Sequence, residues 1–181
     1  MYCWTLRYVD GMIITGNDND IKETIKAIKY KYKISKCSPI DFILGINVEK
    51  QGYNYSILQK AYIEELLTKF NITNTRKTKI PCTGDNLKEN NTLFDRTTYK
   101  SAFGSLIYIS KCTSPDITFS VGKAARKATI SDWKKIINIF KYLNYTKNYK
   151  ITYNGIGEIV AFTDSDLGGD IKDKKNQHRD K

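Results

Sequence analysis

The chain of 181 residues predicts an α+β protein of antiparallel hairpins and amphipathic helices, on three observations. In two places apolar residues alternate on either side of a short turn, the period of a half-buried strand. In several other stretches they recur at three- and four-residue spacing, the period of a helix with one buried face. A polar stretch over residues 71–95, with Pro81, Gly84 and the Asn90-Asn91 pair, separates an earlier mixed part from a later helical part.

Residues 3–9 and 12–16 read as the arms of a first hairpin, with Asp10 and Gly11 at its turn. Gly11 supplies backbone freedom beside a single carboxylate. Asn17-Asp18 offer an N-cap to a helix whose Ile21, Ile25, Ile28 and Tyr32 share a face opposite lysines. Residues 42–50 and 53–58 read as a second hairpin turning at Gln51-Gly52. Ile63, Leu66, Leu67 and Phe70 mark one face of a short helix. Beyond the polar stretch, Tyr99, Ala102, Phe103, Leu106, Ile107 and Ser110 form the stripe of a helix that ends before Pro115. A small-residue helix is expected around residues 117–128, where Ala124, Ala125 and Ala128 allow close approach.

Ser131-Asp132 are expected to cap a further helix with Trp133, Ile136, Ile137, Phe140 and Leu143 on one side. Lys134, Lys135 and Lys141 lie towards the other. Trp133 reads as a core anchor rather than a platform for base stacking. Residues 150–154 and 158–164 read as two strands of a new sheet, and residues 172–181 as a charged, disordered tail. No internal repeat is apparent.

Composition narrows the function. The chain is 40% hydrophobic, enough for one core of ordinary size, and its net charge is +11. That charge is uneven. Residues 71–154 hold 15 Lys/Arg against 5 Asp/Glu, a surplus of ten, whereas residues 1–70 hold 10 against 8. A localised basic face is the footprint of phosphate binding. The other reading is a merely solvated surface, since lysine outnumbers arginine and arginine makes the better phosphate fork. The four cysteines, Cys3, Cys37, Cys82 and Cys112, show no metal-ligand spacing. The one histidine, His178, lies in the polar tail with no partner for a nucleophilic dyad. Serine or cysteine hydrolase chemistry is therefore poorly supported, and no apolar run is long enough for a membrane span.

Motifs add the rest. Leu6-Arg7-Tyr8-Val9-Asp10-Gly11-Met12-Ile13-Ile14-Thr15-Gly16 resembles the Tyr-x-Asp-Asp hairpin of reverse transcriptases, in the form used by copia-type retrotransposon Pol polyproteins. That family places two aspartates at the tip; here Asp10 stands for the first and Gly11 replaces the second. Phe42-Ile43-Leu44-Gly45-Ile46-Asn47-Val48 resembles the Phe-Leu-Gly strand that supports the primer end. Residues 55–63 resemble the entry to the first helix beyond the palm. The run from Tyr99 to Tyr108 is similar to the family's Tyr-Arg-Ser-x-x-Gly-Ser-Leu-x-Tyr helix, and Thr113-Ser114-Pro115-Asp116-Ile117 to its Thr-Arg-Pro-Asp-Ile segment. Residues 162–170 resemble the opening of the ribonuclease H domain. Together these stretches run in family order along most of the chain.

The resemblance implies a partial reverse-transcriptase palm with the start of the thumb over residues 1–70, and a polar connection over 71–95. A helical thumb or connection region over 96–149 and a truncated ribonuclease H-like start over 150–171 would follow, before the tail. It implies nucleotidyl transfer through two magnesium ions held by carboxylates. Asp10 is the retained polymerase aspartate, within the Tyr8-Val9-Asp10-Gly11 motif, and Asp164 the first aspartate of the nuclease; each is a possible metal ligand. Phe42, Leu44 and Gly45 would support the primer. Lys123, Arg126, Lys127, Lys134, Lys135 and Lys141 would face nucleic acid. The partners implied are an RNA/DNA template-primer and the remainder of the Pol polyprotein. No membrane is implied, and the location would be intracellular, in cytoplasmic virus-like particles or the nucleus.

With Gly11 in place of an aspartate, and no counterpart here to the family's upstream aspartate strand, the chain is expected to be inactive as a polymerase. Two alternatives stay open: a non-enzymatic basic nucleic-acid-binding module, and a subunit that complements a separate palm piece.

Overall fold

Among the described residues there are two antiparallel sheets and five α-helices, and the helices supply the core. The computed structural model describes residues 3–9, 11–34, 36–73, 76–82, 90, 92–125, 128–155, 157–158 and 160–163. Strands β1 (Cys3–Tyr8) and β2 (Gly11–Gly16) pair from Cys3↔Gly16 to Tyr8↔Gly11, as the alternation predicts. The register leaves a two-residue turn, and Val9 enters it at φ 49°. A β-branched residue in that region is strained.

Helix α1 (Asp18–Lys31) follows, with Asn17 as N-cap accepting from the Asp20 amide at 3.0 Å. Asp18 and Asp20 begin it and Lys29 and Lys31 end it, each sign matched to the helix dipole. Ile21, Ile25 and Ile28 are half-buried on the side of the hairpin. Tyr32, expected on that face, is instead the exposed C-cap in extended conformation.

The second sheet has the order β3-β4-β5-β6, all antiparallel. It corrects the sequence reading twice. The stretch read as one arm, residues 42–50, splits into β3 (Phe42–Ile43) and β4 (Ile46–Gln51). Leu44 and Gly45 both take left-handed φ, 51° and 73°, which makes the two-residue turn of a tight hairpin. Strand β5 (Asn54–Leu58) follows the Gly52-Tyr53 turn, where Gly52 is also left-handed at φ 60°. Strand β6 (Ile151–Tyr153) then joins the free edge of β5 instead of founding a new sheet. Three residues cannot persist as an isolated strand, and β5 offers ready partners. Ser56 and Thr152 hydroxyls meet at 2.9 Å across the pair, and Lys150 reaches Glu49 at 3.1 Å. Of residues 158–164, read as a strand, those described, 158 and 160–163, have no regular structure.

Helix α2 (Lys60–Lys69) buries Ile63, Leu66 and Leu67 as its spacing predicts. It closes with left-handed Asn71, at φ 57°, whose amide donates to Thr68 O, while the Ile72 amide donates to Leu67 O at 2.8 Å. This double closure satisfies the last carbonyls and drives Ile72 into the core, where it is 1% exposed. Helix α3 (Arg96–Cys112) is capped by Asp95, which accepts from the Thr98 amide at 2.8 Å, and buries Tyr99, Ala102, Leu106, Ile109 and Ser110.

A 3-10 turn at Pro115–Ile117 leads into α4 (Thr118–Ala124). This helix is shorter than the expected 117–128 because the chain beyond it pairs with the end of the polar connection. Phe94 N donates to Ala128 O and Ile130 N to Thr92 O, both at 2.9 Å, and Ala128 turns left-handed at φ 53°. The Tyr99 hydroxyl donates to the Ala124 carbonyl in the last turn of α4.

Helix α5 (Ile130–Thr146) begins one step before the expected Ser131-Asp132 cap. Thr129 is the N-cap, and Asp132 reaches back to it, so the two form a reciprocal capping box. Ile136, Ile139, Phe140 and Leu143 are fully buried. Trp133 is packed as an anchor, stacked on Phe94 at 4.3 Å and edge-on to Phe70 at 6.2 Å. One cluster of buried residues takes members from α2, α3, α4 and α5, so helices on both sides of the connection share a core. Among the described residues no helix is long and apolar enough to cross a membrane. Residues 172–181, read as a tail, lie outside the described residues.

Two outcomes are expected. Thr129→Ala removes the cap and lowers unfolding free energy by about 1 kcal/mol, read from urea denaturation. In alkali, Tyr99 and Tyr142 stay protonated until about 12, chiefly because burial disfavours the phenolate. Their folded values lie above the ordinary 10. Their contribution to stability is therefore full below pH 10 and lost between pH 10 and about 12. A phenolate absorbance titration followed alongside circular dichroism should show their ionisation coinciding with unfolding.

Candidate nucleic-acid interface

The β3–β4 turn is tied to α3 by one side chain, Tyr108. Its hydroxyl donates to the carbonyl of Leu44 in the β3–β4 turn. Its ring meets Tyr62 of α2 edge-on at 5.7 Å. Burial raises its phenol above the ordinary value of 10, and Cys112, Tyr62 and Tyr8 add to the shift. Tyr108 stood in the sequence as the last residue of a motif, with nothing to show that it joins the others; only tertiary contact reveals it.

The carboxylates fare differently. Asp10 and Asp164 lie outside the described residues, so their surroundings carry no argument. Tyr8, Val9 and Gly11 offer no carboxylate, and among the described residues no group of three His, Cys, Asp or Glu comes together to hold a metal. Magnesium asks for several hard oxygen ligands in near-octahedral geometry. The described donors do not fit it. Phe42 is exposed on β3, while Leu44 and Gly45 form the turn rather than a strand.

The proposed cations separate into distinct roles. Lys135 pairs with buried Asp132 at 3.1 Å and so stabilises the start of α5. Lys123 lies over the Phe119 ring at 5.0 Å. Lys134 and Lys141 share the outer face of α5, on either side of Asn138. The Asn138 amide donates to the carbonyls of Ile80 and Pro81 at 3.1 and 3.0 Å. It thereby holds the segment bearing exposed Arg76, Lys77 and Lys79 against that helix. Sequence reasoning missed this neighbourhood, because the link is one amide far along the chain. Arg126 and Lys127 lie outside the described residues.

Comparison with known proteins accords with the motifs. Residues 5–84 match the family described as reverse transcriptase (RNA-dependent DNA polymerase). The chain is 30% identical, over 94% of its length, to the retrovirus-related Pol polyprotein from transposon TNT 1-94 of Nicotiana tabacum, covering 14% of that protein. It is 26% identical, over 94% of its length, to the corresponding polyproteins from transposons RE2 and RE1 of Arabidopsis thaliana, covering 12% of each. The chain thus spans about one seventh or less of each of these three polyproteins. No solved structure is significantly similar to it. By these matches and its ordered motifs, the chain belongs to the copia-type retrotransposon Pol polyproteins, in their reverse transcriptase region.

Proposed function

We propose that this chain is a reverse transcriptase segment that contacts nucleic acid and adds no nucleotides by itself. Gly11 carries the reading. Two-metal transfer needs ions about 3.5–4 Å apart, clamped by carboxylates on both sides of the reacting phosphate. The hairpin sequence has one carboxylate, Asp10, where the family has two. Space is not the reason. Among the described residues, a Cβ added at Gly11 would meet only the Tyr8 carbonyl oxygen at 3.5 Å, an ordinary contact. What is missing is a ligand and not a tolerated backbone. The surplus of ten positive charges over residues 71–154 supports the binding half of the proposal. So do Lys134 and Lys141, which have no acidic partner among the described residues.

Exposure of the first hairpin favours a second reading, in which the chain completes a palm supplied by another polypeptide. Trp4 is 79% exposed and Leu6 62%, a large apolar surface for two strands. Addition of an upstream palm polypeptide would then produce primer extension that neither piece shows alone.

For the principal reading, purified chain with magnesium or manganese is expected to extend a primed template no faster than buffer. Extension above background would overturn it. Gly11→Asp is expected to leave unfolding free energy within about 0.5 kcal/mol of the parent, since the site is open and peripheral.

A further inference from the structure

We infer that the uncharged face of the first hairpin is a self-association surface, on which two copies of this chain pack face to face. The pairing of β1 with β2 sets three rows on that face: Trp4 beside Thr15, Leu6 beside Ile13, and Tyr8 beside Gly11. Cys3, Thr5, Arg7, Met12 and Ile14 belong to the other face. Helix α1 touches both strands, yet Trp4, Leu6 and Tyr8 remain 79%, 62% and 56% exposed, so it lies against that other face. A sheet with one apolar face buries it against a second layer. Strands added alongside would pair the open edges and leave this face as bare as before. Covering it takes an element stacked upon it. The inference is independent of the nucleic-acid reading, and it gives the exposed hairpin a different occupant from a palm polypeptide.

The shape of the face points to a second copy. On β1 the side chains are large, and Trp4, Leu6 and Tyr8 stand in line as a ridge. On β2 they are smaller, and Thr15, Ile13 and Gly11 run beside the ridge as a groove. A two-fold axis parallel to the strands, midway between two stacked hairpins, lays each ridge over the other's groove. Trp4 then lies over the second copy's Thr15, Leu6 over its Ile13 and Tyr8 over its Gly11. Every large side chain meets a smaller one, the alternation by which packed layers interdigitate. One patch serves both copies, and the contact closes at two.

Size and charge agree with that occupant. At about 150–250 Å² for a whole aromatic side chain, the three ridge residues expose about 500 Å² between them. Two ridges buried together give about 1,000 Å², the size at which specific interfaces begin. None of the six residues on the face is charged. Residues 1–32 hold 5 Lys/Arg against 4 Asp/Glu, close to neutral. The positive surplus that drives copies apart is carried instead by residues 71–154. The hairpin is thus the part of the chain where two copies approach with little repulsion.

The test is sedimentation equilibrium of the 181-residue protein, freed of nucleic acid, in about 0.15 M salt. A monomer–dimer equilibrium is expected, with Kd of about 1–100 μM for an interface of this size. Trp4→Glu and Thr15→Lys, both at exposed positions, should each weaken dimerisation about tenfold or more while circular dichroism stays parental. Mixing these two variants should restore the dimer, because one contact becomes a Glu–Lys pair and the other stays native. Thr5→Glu, exposed on the other face, should dimerise like the parent. A parent that stays monomeric throughout overturns the inference, as does a Trp4→Glu variant that dimerises normally. A mixture no better than its components overturns the ridge-over-groove contact. Growth past the dimer would mean that strand edges pair without closing, and overturns it as well. A monomer that instead forms a one-to-one complex with an upstream palm polypeptide, lost in Trp4→Glu, would give the face to that polypeptide and overturn self-association.

Discussion

Burial of the apolar stripe of α5 is the constraint on which the rest of the structure depends. Ile136, Ile139, Phe140 and Leu143 are almost wholly removed from water, each contributing about 1.5–3 kcal/mol before the entropy of ordering is set against it. Such a stripe faces inward only if the helix begins at a fixed residue, because one step of register rotates every side chain by about 100°. The Thr129–Asp132 capping box sets that start, and left-handed Ala128 turns the chain into it. Trp133, one turn in, then falls on Phe94 and Phe70. This contact draws the end of the polar connection and the end of α2 onto the same helix. Asn138 holds the connection's middle portion there as well.

Much of this was legible in sequence, for reasons that differ by element. Helical stripes were read well, since α2, α3 and α5 each bury one face of a long, strongly periodic run. Their ends were not. The cap of α5 was placed at Ser131-Asp132 because both residue types cap helices, and sequence cannot tell an N-cap acid from one reaching back three residues. Helix α4 was read too long because alanines continue beyond it, while a strand-like pairing with Thr92–Phe94 competes for the backbone. The split of residues 42–50 hides in Leu44, which seldom takes left-handed φ. Strand β6 shows the widest gap: its own residues announce a strand, but not the partner.

The candidate site was legible as chemistry and much less as geometry. Gly11 in place of a carboxylate needs no coordinates to be read, and the comparisons bear out the family its neighbours suggest. Which lysines share a face is different. Lys134 and Lys135 adjoin in sequence, yet one is open to solvent and the other bridges to Asp132. Charge counting treats them alike. Tyr108 illustrates the converse, since a residue unremarkable in sequence ties the β3–β4 turn and α2 to α3 through a hydroxyl and a ring.

The pairing of β6 with β5 also orders events in time. Ser56 and Thr152 lie 96 positions apart, so this edge closes a long loop. Closing it costs entropy that later contacts must offset, which makes it a late step for a chain whose helices form locally. During synthesis, β5 is complete well before Ile151–Tyr153 has been made, and its outer row of amides and carbonyls waits unpaired. Through that interval the nascent chain carries an open strand edge, the kind of surface that recruits neighbouring chains on a crowded ribosome cluster. The three residues of β6 thus act as a latch whose timing, more than its strength, governs how safely the protein is made.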